Sequence, residues 1–99
     1  MIINRRTFNV KPGRMEEIIQ LLRNLRGADA GPQVVPIRVS TAMFGPFDVL
    51  AMEVEFENLD QYQKYWGEVF SQPRMVSFFE TWNQLKASGG TNELWEVAE

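Results

Sequence analysis

Arg6 and Asn4 are the polar residues whose positions most favour ligand binding. Both lie in the segment Ile2 to Val10, where alternation places them on the same side as apolar residues such as Phe8. A guanidinium among apolar neighbours is costly unless it is paired. One interpretation is that Arg6 and Asn4 bind an anionic or carbonyl-bearing ligand between a sheet and its helices. The other is that Arg6 pairs with a carboxylate of the protein, or packs its stem and extends its head to the sheet edge.

Aromatic side chains at helical spacing are candidates for the walls of such a site. They are Tyr62, Tyr65, Trp66, Phe78, Phe79 and Trp82. A stripe of this kind is usually core, but large rings also enclose pockets for flat or apolar ligands, oriented by a tyrosine hydroxyl or an indole N–H. No residue is assigned a catalytic role. The predicted ligand-binding residues are Asn4, Arg6, Phe8, Tyr62, Trp66, Phe78 and Trp82.

The composition excludes several classes of chemistry. The sequence contains neither histidine nor cysteine, which rules out Ser-His and Cys-His nucleophiles, disulfides, and imidazole or thiolate metal ligation. No carboxylate motif supports a metal site either, so we expect neither a metal nor a cofactor. The net charge of −3 disfavours a nucleic-acid partner. Without a signal peptide or an apolar run near the roughly 20 residues of a membrane span, we expect a soluble cytoplasmic protein.

Hydrophobic periodicity predicts the elements that position these residues. Alternation predicts strands over Ile2–Val10, Val34–Met43, Asp48–Phe56 and Thr91–Ala98. Helical spacing predicts one helix from Pro12 to Arg26, followed by a loop over Ala28–Gln33. A second helix begins after the cap Asn58, breaks at Pro73 and ends at Gly89-Gly90. Residues 1–99 are therefore predicted to form a single α+β domain of ferredoxin-like βαββαβ type, with a four-stranded antiparallel sheet and its helices on one face.

The sheet face away from the helices is predicted to be polar and of mixed charge. It is either solvated or packed against a second copy of the sheet, with Arg5 and Arg38 available to pair with Glu53, Glu55 or Glu96. The residues predicted on this face are Ile3, Arg5, Thr7, Asn9, Arg38, Ser40, Ala51, Glu53, Glu55, Leu94 and Glu96.

The stretch from Arg6 to Arg14 resembles the R-x-[YF]-x-[VL]-K-P-G segment that opens NIPSNAP-like domains. Phe44-Gly45-Pro46, Glu53-Val54-Glu55-Phe56 and Tyr65-Trp66 are also similar to that family. The resemblance implies a dimeric α+β barrel, in which two four-stranded sheets form a homodimer. That wider group also contains antibiotic-biosynthesis-type monooxygenases and haem-degrading enzymes, and the missing histidine disfavours haem degradation here.

The resemblance implies no particular reaction. We expect a homodimeric small-molecule-binding protein with an apolar or aromatic ligand, and a cofactor-independent monooxygenase-type enzyme is compatible with this expectation. Such an enzyme needs a polarising group and a base, for which Arg6, Asn4 and a tyrosine are the candidates. The alternative is a non-enzymatic dimeric interaction or scaffold domain, whose pocket would be filled by its own tryptophans.

Overall fold

The computed structural model describes residues 1–27 and 35–99, within which strands and helices follow in the order β, α, β, β, α, α, β. The strands are β1 (Ile2–Val10), β2 (Ile37–Thr41), β3 (Val49–Phe56) and β4 (Lys86–Glu96). The helices are α1 (Met15–Gly27), α2 (Leu59–Phe70) and α3 (Arg74–Leu85). The predicted ferredoxin-like α+β fold is confirmed. The loop predicted over Ala28–Gln33 lies outside the described residues, as does Val34 at the start of the second predicted strand.

The sheet is antiparallel with the strand order β2-β3-β1-β4, so β1 lies in its interior. Arg6 at the middle of β1 lies opposite Met52 on β3 and Asn92 on β4. Since directly opposed residues of paired strands point to the same face, the two flanking strands frame the Arg6 side chain.

The helices cover one face of this sheet and form the core there. One buried cluster consists of Val10, Ile18, Leu22, Leu50, Trp82 and Leu85. The other consists of Val54, Phe56, Tyr65, Val69 and Met75. Half-buried Phe78 and Phe79 pack against both clusters, and therefore connect the two halves of the core beneath α3.

The predicted start of α2 and the break before α3 are confirmed. The Asn58 side chain accepts a hydrogen bond from the backbone N–H of Gln61 at 2.9 Å. The Gln61 side chain in turn accepts from the backbone N–H of Glu57 at 2.6 Å, so both side chains satisfy free donors at the helix entrance. Pro73 caps α3, where its missing N–H costs no helical hydrogen bond.

The predicted start of α1 at Pro12 is wrong by three residues, because the helix begins at Met15. Gly13 has a φ of +79°, which is incompatible with a right-handed helix, and Arg14 N–H closes a turn onto the Lys11 carbonyl at 3.0 Å. The strand predicted from Val34 to Met43 is also shorter than expected, since β2 covers Ile37–Thr41.

The prediction that Gly89-Gly90 ends a helix is wrong. α3 ends at Leu85, and both glycines lie inside β4, which begins at Lys86 and ends two residues before the predicted Ala98. Gly90 has a φ of +123° and lies opposite Phe8, where an added Cβ would overlap the backbone carbonyl of Thr7. Glycine is therefore needed inside the strand for the close approach of β4 to β1.

The predicted faces of β4 are also wrong. Leu94 lies opposite the buried Asn4 and Glu96 lies opposite Ile2, so both are on the helix side of the sheet. Arg5 consequently pairs with Glu93, at 3.6 Å, rather than with the expected glutamates. We call the face without helices the open face. It comprises Ile3, Arg5, Thr7, Asn9, Arg38, Ser40, Ala51, Glu53, Glu55, Thr91, Glu93 and Trp95.

Candidate functional site

A cavity of about 120 Å³ lies between the helix-side face of the sheet and the helices. Among the described residues that line it, Arg6 is the only charged one. The sheet contributes Arg6, Phe8, Ile37 and Met52 to the wall. The helices contribute Leu22, Leu25, Tyr65, Trp66, Val69, Phe70, Met75, Phe78, Phe79 and Trp82.

Two stacked aromatic pairs form much of the wall. The rings of Trp66 and Phe70 are 5.3 Å apart with an angle of 18° between their planes. Those of Phe78 and Trp82 are 5.5 Å apart at 24°. Phe8 from the sheet meets Trp82 edge to face at 4.9 Å. Five members of the aromatic stripe line the cavity, namely Tyr65, Trp66, Phe78, Phe79 and Trp82. Tyr65 and Trp82 also belong to the buried core, and Tyr62 packs against the core without lining the cavity.

Asn4 lies beneath this wall, fully buried, and all of its hydrogen-bonding capacity is used. Its Oδ1 accepts from Arg6 Nε and from Trp66 Nε1, each at 3.1 Å. Its Nδ2 donates to Asn92 Oδ1 at 2.7 Å and to the Glu93 carbonyl at 2.9 Å. An amide with two donors and two lone pairs makes four such bonds at most. Asn4 therefore positions Arg6 and Trp66 and has no free group for a ligand.

The Arg6 guanidinium lies over the face of Trp66, with its Cζ 4.1 Å from the ring centroid. This is a cation–π contact, and Asn4 holds the guanidinium in it through Nε. Burial lowers the pKa of Arg6, and the nearby Tyr62 hydroxyl opposes this shift. Arginine nevertheless stays charged in proteins. No carboxylate in residues 1–27 or 35–99 lies within 4.0 Å of Arg6, so the interpretation that it pairs with an acidic side chain does not hold for this part of the chain.

The structure brings the predicted site residues together around Arg6. Arg6, Phe8, Trp66, Phe78 and Trp82 line the cavity. Tyr62 lies beside the guanidinium without lining the cavity, and Asn4 supports it from below. Ligand binding by these residues stays a prediction.

Seven of the described lining residues were not predicted from the sequence: Leu22, Leu25, Ile37, Met52, Val69, Phe70 and Met75. Phe70 follows Trp66 by four residues, which is the spacing of neighbours on one helix face, and this was an available signal. Met52 is recognisable only from the strand register, since it lies opposite Arg6 in the β1–β3 pair.

Few ionisable groups line the described part of the cavity. Besides Arg6, the Tyr65 hydroxyl is the only ionisable group among the described lining residues. The described ranges contain no group of three or more acidic side chains that could hold a metal ion. They also contain no helix long and apolar enough to cross a membrane.

A four-stranded antiparallel sheet with its helices on one face and a cavity between the layers defines an α+β protein of ferredoxin-like fold. The fold is that of solved NIPSNAP domain proteins. An uncharacterized NIPSNAP domain protein from Burkholderia xenovorans is 13% identical, with a TM-score of 0.84 over 99% of this chain and 95% of the other. A NIPSNAP family protein from Agrobacterium tumefaciens is 19% identical, with a TM-score of 0.84 over 99% and 93% of the two chains.

The likeness extends to a second group with the same layout. An antibiotic biosynthesis monooxygenase-like protein from Deinococcus radiodurans is 16% identical, with a TM-score of 0.72 over 100% of this chain and 94% of the other. No protein-family model matches the sequence, and no curated protein matches it either. At these identities the comparisons show a shared fold.

Proposed function

We propose that the protein is a homodimeric small-molecule-binding protein of the cytoplasm, whose cavity takes a small apolar or aromatic ligand. The cavity is the observation that supports ligand binding: it has a volume of about 120 Å³, and its described lining is apolar or aromatic except for the cation Arg6 and the Tyr65 hydroxyl. Small-molecule sites are typically concave and apolar, with a few polar groups that set the orientation. A cavity of this size also counts against a pure scaffold domain, whose tryptophans would occupy the space rather than line it.

We propose binding rather than a reaction as the function. A cofactor-independent oxygenase needs a base close to its substrate. Asn4 uses both lone pairs of its Oδ1 on Arg6 and Trp66, and Arg6 is a permanent cation. Among the candidates from the sequence only a tyrosine remains, so oxygenase chemistry at this cavity would depend on a tyrosine hydroxyl as its base.

The homodimer is supported by the open face. The described helices leave this face uncovered, and Trp95 is 58% exposed at its edge. Arg5 and Arg38 on this face lie opposite Glu53 in the strand register, so positive and negative groups are interleaved across it. A two-fold interface brings the same patch of both copies together, and a patch that contains both signs of charge is complementary to itself.

Native mass spectrometry of the purified protein, followed by denaturing conditions, tests both parts of the proposal. We expect a mass near twice 11.5 kDa, with a small organic mass that is lost on denaturation. Toluene binding, followed by saturation-transfer NMR, tests the cavity directly. Leu25→Trp adds volume to the cavity wall and should abolish toluene binding, whereas Leu21→Trp, on the same helix but outside the cavity lining, should preserve it. Toluene binding that survives Leu25→Trp, or binding of no small aromatic probe by the unmodified protein, would contradict the ligand proposal.

Sedimentation velocity tests the dimer. Trp95→Glu adds a charge to the open face and should convert the dimer to a monomer. Val76→Glu is the matched control, since Val76 is an exposed apolar residue on α3, away from the open face. A monomer of 11.5 kDa at micromolar concentration in the unmodified protein would refute the dimer proposal.

A further inference from the structure

We propose that the cavity binds a monocarboxylic acid whose apolar body is about the size of one six-membered ring, and that Arg6 binds its carboxylate. This inference rests on the proposed binding function and names the chemical class of the ligand. It is carried by the contacts of Arg6, by the charge of the cavity wall and by the volume that the wall encloses.

Arg6 is a half-buried cation without an anionic partner in the described part of the chain. Its partners are neutral: the Asn4 amide oxygen, the Tyr62 hydroxyl and the face of Trp66. Removing a charge from water costs free energy that neutral partners repay only in part. An anion that reaches the guanidinium gains a full Coulombic interaction in a poorly solvated place, so the site favours negative charge.

The hydrogen bonds around Arg6 favour a carboxylate in particular. Nε is already used on Asn4, and Asn4 cannot turn away because its other bonds fix it to Trp66 and β4. With Nε on Asn4 and the Tyr62 hydroxyl beside the head group, the planar guanidinium still has terminal N–H groups to offer, because it carries five donors. Two parallel N–H groups in one plane match the two oxygens of a carboxylate.

The charge of the described lining residues favours a ligand with a single negative charge. Arg6 is the only charged residue among the described lining residues, and the others are apolar or aromatic except for the Tyr65 hydroxyl. A dicarboxylate or a doubly charged phosphate would place a second negative charge against aromatic rings without a partner, which is costly.

The volume of the cavity indicates the size of the apolar body. About 120 Å³ is close to the roughly 150 Å³ of an engineered apolar cavity that binds benzene. The stacked pairs Trp66–Phe70 and Phe78–Trp82 give flat walls that suit a ring. Phe70 lines the cavity and is 46% exposed.

Binding of benzoate, benzamide and toluene at pH 7, measured by calorimetry or ligand-observed NMR, tests the inference. Benzamide keeps the shape and the carbonyl of benzoate but lacks the charge, and toluene keeps only the ring. In the unmodified protein we expect benzoate to bind at least tenfold more tightly than benzamide. In Arg6→Met, which keeps a long apolar stem, we expect this preference to fall below twofold while toluene binding persists.

Arg5→Met is the matched control, because Arg5 is the adjacent residue but lies on the open face, 3.6 Å from Glu93. It should retain the benzoate preference. Even if Arg6→Met does not fold, the relative affinities of benzoate, benzamide and toluene for the unmodified protein test the inference. Equal binding of benzoate and benzamide would indicate a carbonyl ligand and overturn the inference. Binding of toluene alone would overturn it too but would leave the proposed function standing, and binding of no probe would overturn both.

Discussion

Replacing Asn4 with alanine should strongly destabilise the fold, because its buried side-chain amide is hydrogen-bonded to groups on β1, α2 and β4. Truncation leaves Arg6 Nε, Trp66 Nε1 and the Glu93 carbonyl without their partner. Asn92 is exposed and its side chain can hydrogen-bond to water instead, so the loss of its bond to Asn4 should cost little stability. With about 1–1.5 kcal/mol for each of the remaining groups, we expect a loss of about 3–5 kcal/mol in the free energy of unfolding. That is a large share of the roughly 5–15 kcal/mol that a domain has in total.

Urea denaturation of Asn4→Ala beside Asn9→Ala measures this loss. Asn9 is on the same strand, and its side chain donates one exposed hydrogen bond to the Ser88 carbonyl. Losing this hydrogen bond should lower the free energy of unfolding by less than about 1 kcal/mol. Both variants must be compared at one protein concentration, since association contributes to apparent stability. Equal losses in the two variants would refute the assignment of Asn4 as the residue that holds the site together.

Substitutions in α2 and β4, which flank the site, should change the free energy of unfolding, measured in each case by urea denaturation. Gly90→Ala should lower the free energy of unfolding by more than about 2 kcal/mol, because its φ of +123° and the close β1 backbone leave no room for a Cβ. The control Gly67→Ala lies inside α2 with open space around it, and should leave the free energy of unfolding unchanged or raise it by up to about 1 kcal/mol. Asn58→Ala removes the α2 cap and should lose about 1 kcal/mol, while the exposed Gln63→Ala on the same helix should change the value by less than about 0.5 kcal/mol. Glu93→Ala breaks an exposed ion pair and should lose less than about 1 kcal/mol, since its backbone carbonyl stays in place. A Gly90→Ala protein as stable as the unmodified one, or a Glu93→Ala protein losing several kcal/mol, would contradict the strand geometry described above.

The sequence predicts best where local pattern and tertiary packing agree. Alternation in β1 assigns its faces correctly, because Phe8 and Val10 on the helix side are apolar and pack into the core. The Asn58 cap is predicted from local chemistry alone and is found. Fold class and order of elements follow from such signals, since each depends on residues close together in the chain.

The parts that could not be predicted depend on contacts between distant residues. The hydrogen bond between Trp66 and Asn4 joins residues 62 apart in sequence and requires α2 to lie over β1. By local rules Gly90 predicts the end of a helix. Only its position opposite Phe8 shows why the strand contains a glycine there. The sequence could place Arg6 on an apolar face, but its neutral partners are evident only in three dimensions.

The bonds of Asn4 also bear on how β4 finds its correct alignment. β4 is an edge strand whose helix-side positions include Gly90, Asn92 and Glu96, so burial of apolar groups specifies its pairing only weakly. A slip by one residue would turn Asn92 to the open face and remove a partner of Asn4. A slip by two would bring a residue with a Cβ to the close approach at Phe8. Asn4 and Gly90 thus favour the observed alignment of β4 over alternatives that the hydrophobic pattern alone would allow. Asn4, which orients Arg6 in the cavity, therefore also helps to select the pairing of the last strand.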